Sequence, residues 1–222
     1  MDPRWIHPFT ACISGPTGCG KTVFVNRFIS NLAEMMTPLP EEILWCYGEW
    51  QDVYTQLQEK GVIFIEGFPN FKEFDGRKKR LIIIDDLMDE VDSSITKLFT
   101  KGSHHRNLSV IHIVQNLFCK NKEQRTISLN CHYLILFKNP RDKQQISTLG
   151  RQMYPGQSLF MIDAFKLATE QGHGYLLVDL KQCTPEHLRL RTSIFPGEQH
   201  TVFIPKNDRK ICLSGYKNKD RC

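Results

Sequence analysis

The chain has 222 residues, of which 41% are hydrophobic and 24% are charged, and its formal net charge is +5. This length suits one α/β domain, and the ordinary charged fraction argues against a globally disordered chain. No apolar run approaches the roughly 20 residues of a membrane helix, and residues 1–13 lack the pattern of a secretory signal. We therefore expect neither segment. The small positive excess permits a polyanionic partner without requiring one.

The eight cysteines include no C-x-x-C pair, so their spacing does not favour a zinc site or a disulfide framework. Cys12, Cys46 and Cys131 lie in or beside apolar runs, where buried thiols are typical. We expect reduced thiols in an intracellular protein.

Short runs of apolar, β-branched or aromatic residues predict the strands of a sheet. In chain order they are Thr10–Ser14, Ile43–Tyr47, Val62–Glu66, Leu81–Asp85, Ser109–Gln115, Tyr133–Phe137 and Tyr175–Leu180. Helical periodicity marks Lys21–Met36, Asp142–Met153 and Leu159–Thr169. This alternation predicts an α/β fold with a mostly parallel central sheet and helices on both faces.

The end of the chain has a different character. Residues 188–203 resemble extended segments broken by Pro196 and Gly197, and the chain after Pro205 is polar and basic. We predict one folded domain over residues 1–205 and a flexible basic tail over residues 206–222.

The strongest motif is Gly-Pro-Thr-Gly-Cys-Gly-Lys-Thr, which fits the phosphate-loop pattern G-x-x-x-x-G-K-[ST] in full. A predicted strand precedes it and an apolar-faced helix follows it, as the motif requires. Backbone N–H groups of such a loop converge on a phosphate, and the helix dipole assists. The sequence therefore predicts a P-loop NTPase that binds ATP through Gly15, Pro16, Thr17, Gly18, Cys19, Gly20, Lys21 and Thr22. Lys21 would neutralise the β- and γ-phosphates, and the Thr22 hydroxyl would bind Mg²⁺.

A second acidic site follows the apolar run 81–84. A buried strand brings its last residues to the carboxyl edge of the sheet, where ligands bind in open α/β folds. Asp85 is expected to hold Mg²⁺, and Asp86 is expected to orient or deprotonate the attacking water. Asp89 and Glu90 are rival carboxylates for these roles.

Gln115 and Asn116 follow another strand of the buried type. A side-chain amide at this position can sense the γ-phosphate or orient the attacking water, and we assign this role to Gln115.

Arg106 precedes the same strand, so it is expected at the opposite edge of the sheet from the nucleotide. From there it could reach the γ-phosphate of a neighbouring subunit in a ring, as an arginine finger acting in trans. Arg141, after the next strand, is the competing candidate.

Taken together, the residues of several motifs resemble the DNA-packaging ATPases of Maverick/Polinton elements and adintoviruses. The segments that carry this resemblance are the phosphate loop, Ile-Leu-Trp-Cys-Tyr-Gly-Glu-Trp at 43–50, Leu-Ile-Ile-Ile-Asp-Asp-Leu-Met at 81–88, Phe-Thr-Lys-Gly-Ser-His-His-Arg-Asn-Leu-Ser-Val-Ile at 99–111 and Val-Gln-Asn at 114–116. These ATPases are similar to the poxvirus-type packaging ATPase of the FtsK–HerA group, and the resemblance covers roughly residues 8–205.

The resemblance implies a ring-forming ATPase that pumps double-stranded DNA into a capsid with a capsid or portal partner. It also implies a location in the infected host cell, in the nucleus or at the assembling virion. Lys21, Thr22, Asp85, Gln115 and Arg106 match the corresponding motif positions. Cellular relatives usually have Glu where this chain has Asp86, and the shorter side chain leaves open whether it polarises water directly or through a second water.

Two other functions stay open from the sequence. The size also fits a small-molecule phosphotransferase such as a nucleoside or nucleotide kinase, although an arginine-rich lid segment is not apparent. A non-catalytic, nucleotide-gated assembly factor is the third candidate. DNA contacts in the packaging reading would come from lysines and arginines on backbone phosphates, with Arg77, Lys78, Lys79, Arg80 and the tail lysines as candidates.

Overall fold

The computed structural model describes residues 3–85, 87, 93–103, 106–118 and 122–205. The strands are β1 Trp5–Ile6, β2 Thr10–Ser14, β3 Met36–Thr37, β4 Glu42–Tyr47, β5 Ile63–Glu66, β6 Arg80–Asp85, β7 Leu108–Val114, β8 Tyr133–Phe137, β9 Tyr175–Asp179, β10 Leu190–Thr192 and β11 Thr201–Phe203. The α-helices are α1 Lys21–Ser30, α2 Leu32–Met35, α3 Val53–Gln58, α4 Ser93–Lys97, α5 Lys122–Leu129, α6 Gln144–Met153 and α7 Ser158–Ala168. Shorter helical turns cover Phe71–Glu73, Leu98–Gly102 and Glu186–Leu188.

Nine of these strands form one sheet in the order β11-β10-β9-β8-β2-β7-β6-β4-β5. Six neighbouring strands, β8, β2, β7, β6, β4 and β5, run parallel to one another. The strands β9, β10 and β11 pair in antiparallel fashion at the β8 side of this group. The two-residue strands β1 and β3 pair separately. The predicted mostly parallel sheet is therefore confirmed, with β2 in its interior.

The register of the central strands brings the motifs to one edge. Ser14 at the end of β2 is paired with Val114 at the end of β7, and Ile113 is paired with Asp85 at the end of β6. Because these strands are parallel, the phosphate loop, Asp85 and Gln115 all lie at strand ends on the same side of the sheet.

Apolar side chains are buried on both faces of this sheet. Ile83 and Ile111 face a cluster that includes Phe24 and Phe28 of α1, whereas Ile84 belongs to the cluster on the other face. All seven residues of β7 are buried. Double-sided burial explains why the central strands appear in the sequence as continuous apolar runs instead of alternating ones.

The predicted strands Thr10–Ser14 and Tyr133–Phe137 are confirmed to the residue. The predicted strand Ser109–Gln115 is shifted by one residue relative to β7, and the others differ by one residue at one end. The helical periodicity predicted over Lys21–Met36 corresponds to two helices instead of one. The helix α1 ends at Ser30, Asn31 departs from helical geometry with φ −115° and ψ 28°, and α2 covers Leu32–Met35. The extended character of residues 188–203 is confirmed by β10 and β11.

The predicted tail over residues 206–222 lies outside the described residues, so the division at residue 205 stays a prediction. Among the described helices, none combines the length and apolar character needed to span a bilayer. Cys12, Cys46 and Cys131 are buried free thiols, as their apolar surroundings predicted.

Candidate nucleotide site

The phosphate loop connects β2 to α1 and depends on its glycines. A side chain at Gly15 would place its Cβ 2.6 Å from Cys19 Sγ and 2.7 Å from Phe137 Cβ, so no other residue fits there. Gly20 has φ +106°, a conformation that L side chains rarely adopt. Because Gly20 has no side chain, the first N–H groups of α1 are left for an anion at the helix N-terminus.

Lys21 folds back over this loop. Its Nζ donates to the carbonyl oxygens of Gly15 (2.7 Å) and Pro16 (2.9 Å). These neutral acceptors hold the ammonium over the loop, and an anionic phosphate oxygen would be a stronger partner for the same donor.

A cavity of about 310 Å³ opens beside Lys21. It is bounded by the loop, the start of α1, and the ends of β6 and β7. Its lining residues are Thr17, Gly18, Gly20, Lys21, Thr22, Val23, Gln51, Asp85, Ile113, Val114, Gln115 and His173. The structure thus places Lys21, Thr22, Asp85 and Gln115, four residues singled out from the sequence, on one cavity.

Asp85 is only 4% exposed and is held by a residue that the sequence did not point to. The hydroxyl of Tyr54, on α3, donates to Asp85 Oδ2 at 2.8 Å. The Tyr54 ring lies in an aromatic cluster with Trp45, Trp50 and Phe64, at centroid distances of 5.1–5.5 Å. This packing fixes the direction of the Tyr54 hydroxyl, and the hydroxyl in turn fixes the position of Asp85 Oδ2.

The other predicted strand-end groups lie as follows. Gln115 is exposed and lines the cavity, while Asn116 accepts a hydrogen bond from the Phe118 backbone N–H (2.9 Å). Asn116 is therefore a turn residue. Asp86 and its rivals Asp89 and Glu90 lie outside the described residues, so their assigned roles stay predictions.

His173 is a second cavity residue that the sequence did not single out. It lies between α7 and β9 with φ +62°, and its Nδ1 is 3.1 Å from the Cys19 carbonyl oxygen. A Cβ at Gly20 would lie 3.2 Å from the same nitrogen. The only sequence signal is the pair of glycines that flank His173, which indicate a tight turn.

Cys19 is half-buried within the loop. Burial raises the pKa of its thiol, although nearby Lys21 partly opposes this shift. The group is therefore a neutral thiol at neutral pH, and it adds no negative charge beside a bound phosphate.

Arg106 lies where its sequence position predicts, just before β7 and at the opposite end of that strand from Gln115. Seven residues of β7 separate the two ends by roughly 20 Å. Its Nη1 donates to the Phe71 carbonyl at 2.8 Å. Arg141, the competitor, is exposed on the loop after β8 and does not line the cavity.

The basic run at the start of β6 is partly neutralised by three neighbouring acids. Lys78 and Arg80 both pair with Glu42, Lys79 pairs with Glu41 (3.8 Å) and Arg77 pairs with Asp75 (3.3 Å). Arg80 also packs on the Phe74 ring and is 12% exposed at its side chain. These partners reduce the net positive charge that the run offers to DNA phosphates.

Comparison with known proteins places this geometry among nucleotide-binding folds. The RNA helicase family model matches residues 11–102. The genome-packaging NTPase B204 of Sulfolobus turreted icosahedral virus 2 aligns in its ATPγS complex with a TM-score of 0.55 and 11% identity, over 89% of this chain and 97% of B204. Its sulfate complex aligns with a TM-score of 0.53, 11% identity and the same coverage. The chain has a P-loop NTPase fold.

A third solved structure, the pCW3 conjugation coupling protein TcpA in its monomer form with ATPγS, aligns with a TM-score of 0.48 and 14% identity, over 77% of this chain and 57% of TcpA. No curated protein sequence matches the chain. At 11% identity the likeness to B204 supports the P-loop NTPase fold alone, and the roles of individual residues rest on the geometry of the site.

Proposed function

We propose that this protein is an ATP-hydrolysing motor that moves double-stranded DNA into a viral capsid. The observation that carries the proposal is the cavity in which Lys21, Thr22, Asp85 and Gln115 meet at the ends of β2, β6 and β7. The fold shared with the packaging NTPase B204 supports the same function. The polar strand-end residue Gln115 and the arginine before β7 further match the packaging ATPases that the sequence resembles.

Binding depends on the loop and on Lys21. Backbone N–H groups of the loop and of the first turn of α1 donate hydrogen bonds to phosphate oxygens. The Lys21 ammonium, which donates to the Gly15 and Pro16 carbonyls without nucleotide, would bind the β- and γ-phosphates instead. Thr22 and Asp85 are the residues that would hold Mg²⁺, because a hydroxyl and a carboxylate are oxygen ligands of the kind it prefers. The bound ion would neutralise charge on the β- and γ-phosphate oxygens.

Hydrolysis then needs a water in line with the γ-phosphorus. Gln115 lines the cavity at the end of β7, where its amide can orient that water by hydrogen bonding. Asp86, directly after the carboxylate at the end of β6, is proposed to accept a proton from the water. Charge that develops on the γ-phosphoryl oxygens is stabilised by Lys21 and, across a subunit interface, by Arg106 of a neighbouring copy.

Translocation follows from the division of the site between two subunits. If the arginine that completes each site belongs to a neighbour, hydrolysis depends on how adjacent subunits are oriented, and a change of orientation can move a DNA segment in a central pore. DNA would be gripped through its phosphates, since a packaging motor must accept any sequence. Because the run at 77–80 is ion-paired, we place the main DNA contacts elsewhere on the ring.

Steady-state ATP hydrolysis measured with and without duplex DNA tests this function. We expect turnover that duplex DNA stimulates, together with a ring-sized mass when nucleotide is present. Equal turnover with and without DNA, combined with rapid phosphate transfer to a nucleoside, would instead identify a kinase. Stimulation by single-stranded RNA alone would contradict the packaging assignment and favour the activity named by the matched family model.

Tyr54→Phe is expected to raise the Mg²⁺ concentration that half-saturates ATP hydrolysis, because the Asp85 carboxylate loses the donor that fixes one of its oxygens. Changes to the partners of a metal ligand typically weaken metal affinity by about 10- to 100-fold. The measurement is a Mg²⁺ titration of the initial rate at saturating ATP. Tyr47→Phe is the matched control, since Tyr47 belongs to the same aromatic cluster. Equal Mg²⁺ dependence in both variants would rule out this role for Tyr54.

A further inference from the structure

Another cavity, of about 520 Å³, lies at the opposite edge of the sheet from the phosphate loop. Tyr133, the first residue of β8, lines it, whereas Phe137, the last residue of that strand, lies beside Gly15 of the phosphate loop. The length of β8 therefore separates the two sites by roughly 13 Å. None of the described residues lines both this cavity and the one that contains Lys21.

One part of this cavity is apolar. Ile6 of β1, Leu188 from the turn before β10 and Val202 of β11 line it together with Tyr133. Its volume falls within the roughly 300–1,000 Å³ that is typical of small-molecule sites. Such sites combine an apolar wall with a few polar groups that orient the ligand, and in this cavity several of the polar groups are charged.

Positive charge exceeds negative charge on the walls. Arg4, Lys181 and Arg191 line the cavity, and Asp179 is the only carboxylate among the described lining residues. Asp179 Oδ2 accepts a hydrogen bond from Arg191 Nη2 at 2.8 Å, and its Oδ1 accepts one from the Lys181 backbone N–H at 3.1 Å. Both oxygens of this carboxylate are thus occupied within the wall.

Two of the cations lack a full set of acceptors. The Arg191 side chain is 8% exposed, and its Nε has no hydrogen-bond partner among the described groups. Lys181 Nζ donates to the neutral Ile6 carbonyl at 3.0 Å and lies 5.6 Å from the centre of the Tyr133 ring. Burial lowers the pKa of Lys181, and burial and the charge of Arg191 lower the pKa of His200. Because buried cations with unfilled donors are unfavourable, an anion in the cavity would stabilise these groups.

We propose that this cavity binds a small organic anion, whose phosphate or carboxylate group lies against Lys181 and Arg191 and whose apolar body contacts Ile6, Leu188 and Val202. An inorganic ion would leave the apolar wall unused, and duplex DNA is too wide to enter a space of this size. The site is separate from the phosphate loop, so the proposal does not depend on the function proposed above.

Isothermal titration calorimetry with phenyl phosphate and with phenylacetate tests the site, and benzyl alcohol serves as the uncharged analogue. Saturating Mg²⁺–ATPγS is present, so that the phosphate loop does not compete for the anions. We expect at least one anion to bind with a dissociation constant on the order of 1 mM or lower, as is reasonable for a fragment of this size. Benzyl alcohol is expected to bind at least about tenfold more weakly, because it makes no charge-assisted hydrogen bond. The anion that binds more tightly identifies the head group as phosphate or carboxylate.

Lys181→Met should weaken binding of that anion by at least about tenfold, the usual effect of losing one charged hydrogen-bond partner. Lys166→Met, an exposed site on α7 outside the cavity, is the matched control and should leave the affinity unchanged. Cys183 provides a second readout in the unaltered protein, because it is an exposed free thiol on the cavity wall. We expect the bound anion to slow alkylation of Cys183 by iodoacetamide, measured by mass spectrometry of its peptide.

Several results would overturn the proposal. They are failure of both anions to bind, equal binding of the anions and benzyl alcohol, and unchanged affinity in Lys181→Met. If Lys181→Met fails to fold, alkylation of Cys183 decides: protection by phenyl phosphate or phenylacetate but not by benzyl alcohol supports the site. Protection by duplex DNA but by neither small anion would refute it, since the charges would then serve a polyanion.

Discussion

Lys21→Ala is expected to lower the turnover number for ATP by at least about 100-fold, the usual cost of removing one preorganised group that stabilises transition-state charge. Lys21 is the cation that reaches across the phosphate loop, where it now holds the carbonyls of Gly15 and Pro16. The variant should also bind ATP more weakly, because the β- and γ-phosphates lose their counter-charge.

Turnover and ATPγS affinity are measured in parallel with Lys60→Ala, an exposed lysine whose Nζ contacts only Ser30 Oγ among the described groups. Thermal unfolding of both variants confirms that each is folded. A Lys21→Ala protein that retains wild-type turnover would show that the loop is not the site of phosphoryl transfer.

Arg106→Ala is expected to abolish most turnover while leaving ATP binding intact, since the residue lies at the opposite edge of the sheet from its own nucleotide cavity. An arginine finger in trans contributes about 10³–10⁵ in rate in comparable systems. Mixing Arg106→Ala subunits with Lys21→Ala subunits should restore part of the activity. A Lys21→Ala subunit still supplies Arg106 to the intact site of its neighbour.

The mixing experiment is repeated with Arg141→Ala in place of Arg106→Ala. If mixing with Lys21→Ala subunits restores activity to Arg141→Ala but not to Arg106→Ala, Arg141 would be the arginine finger. The absence of rescue at every ratio, with both parents folded and assembled, would exclude action in trans. Arg106 also donates a hydrogen bond to the Phe71 carbonyl, so its loss could act by destabilising that segment. Arg106→Lys, which keeps the positive charge but lacks the planar guanidinium, is therefore measured as well.

The sequence predicted the features that depend on local pattern. The strands of the central sheet are apolar on both faces, and continuous apolar runs are easy to detect; β2 and β8 were placed to the residue. The phosphate loop was predicted because its glycines and Lys21 must be adjacent in the chain. Asp85 and Gln115 followed from the rule that parallel strands bring their carboxyl ends to one edge.

Other features depend on contacts between residues far apart in the chain. Tyr54 and Asp85, which share a hydrogen bond, are 31 positions apart in the sequence, and His173 and Cys19 are 154 positions apart. No spacing rule relates such pairs, and the aromatic cluster around Tyr54 forms only when β4, α3 and β5 pack together. The break at Asn31 is a change of backbone conformation at one residue, with φ −115° and ψ 28°, which helical periodicity does not register.

The charge run at 77–80 shows the same limitation in a surface feature. Four consecutive cations predict a polyanion contact when only the sequence is considered. Three of them pair with Glu42, the first residue of β4, or with Glu41 just before it. These acids lie 35 or more positions earlier and come beside the run because β4 pairs with β6. Strand pairing therefore decides how much of that charge remains for a ligand.

Amide hydrogen exchange with and without saturating Mg²⁺–ATPγS tests the central claim most directly, since it locates the bound nucleotide. We predict slower exchange for the backbone N–H groups of residues 15–23 other than Pro16, which would donate to the phosphates. Peptides that contain Asp85 and Gln115 should also exchange more slowly, with little change in β11. Saturating nucleotide that leaves residues 15–23 exchanging as in the free protein, or that protects only a distant segment, would contradict it.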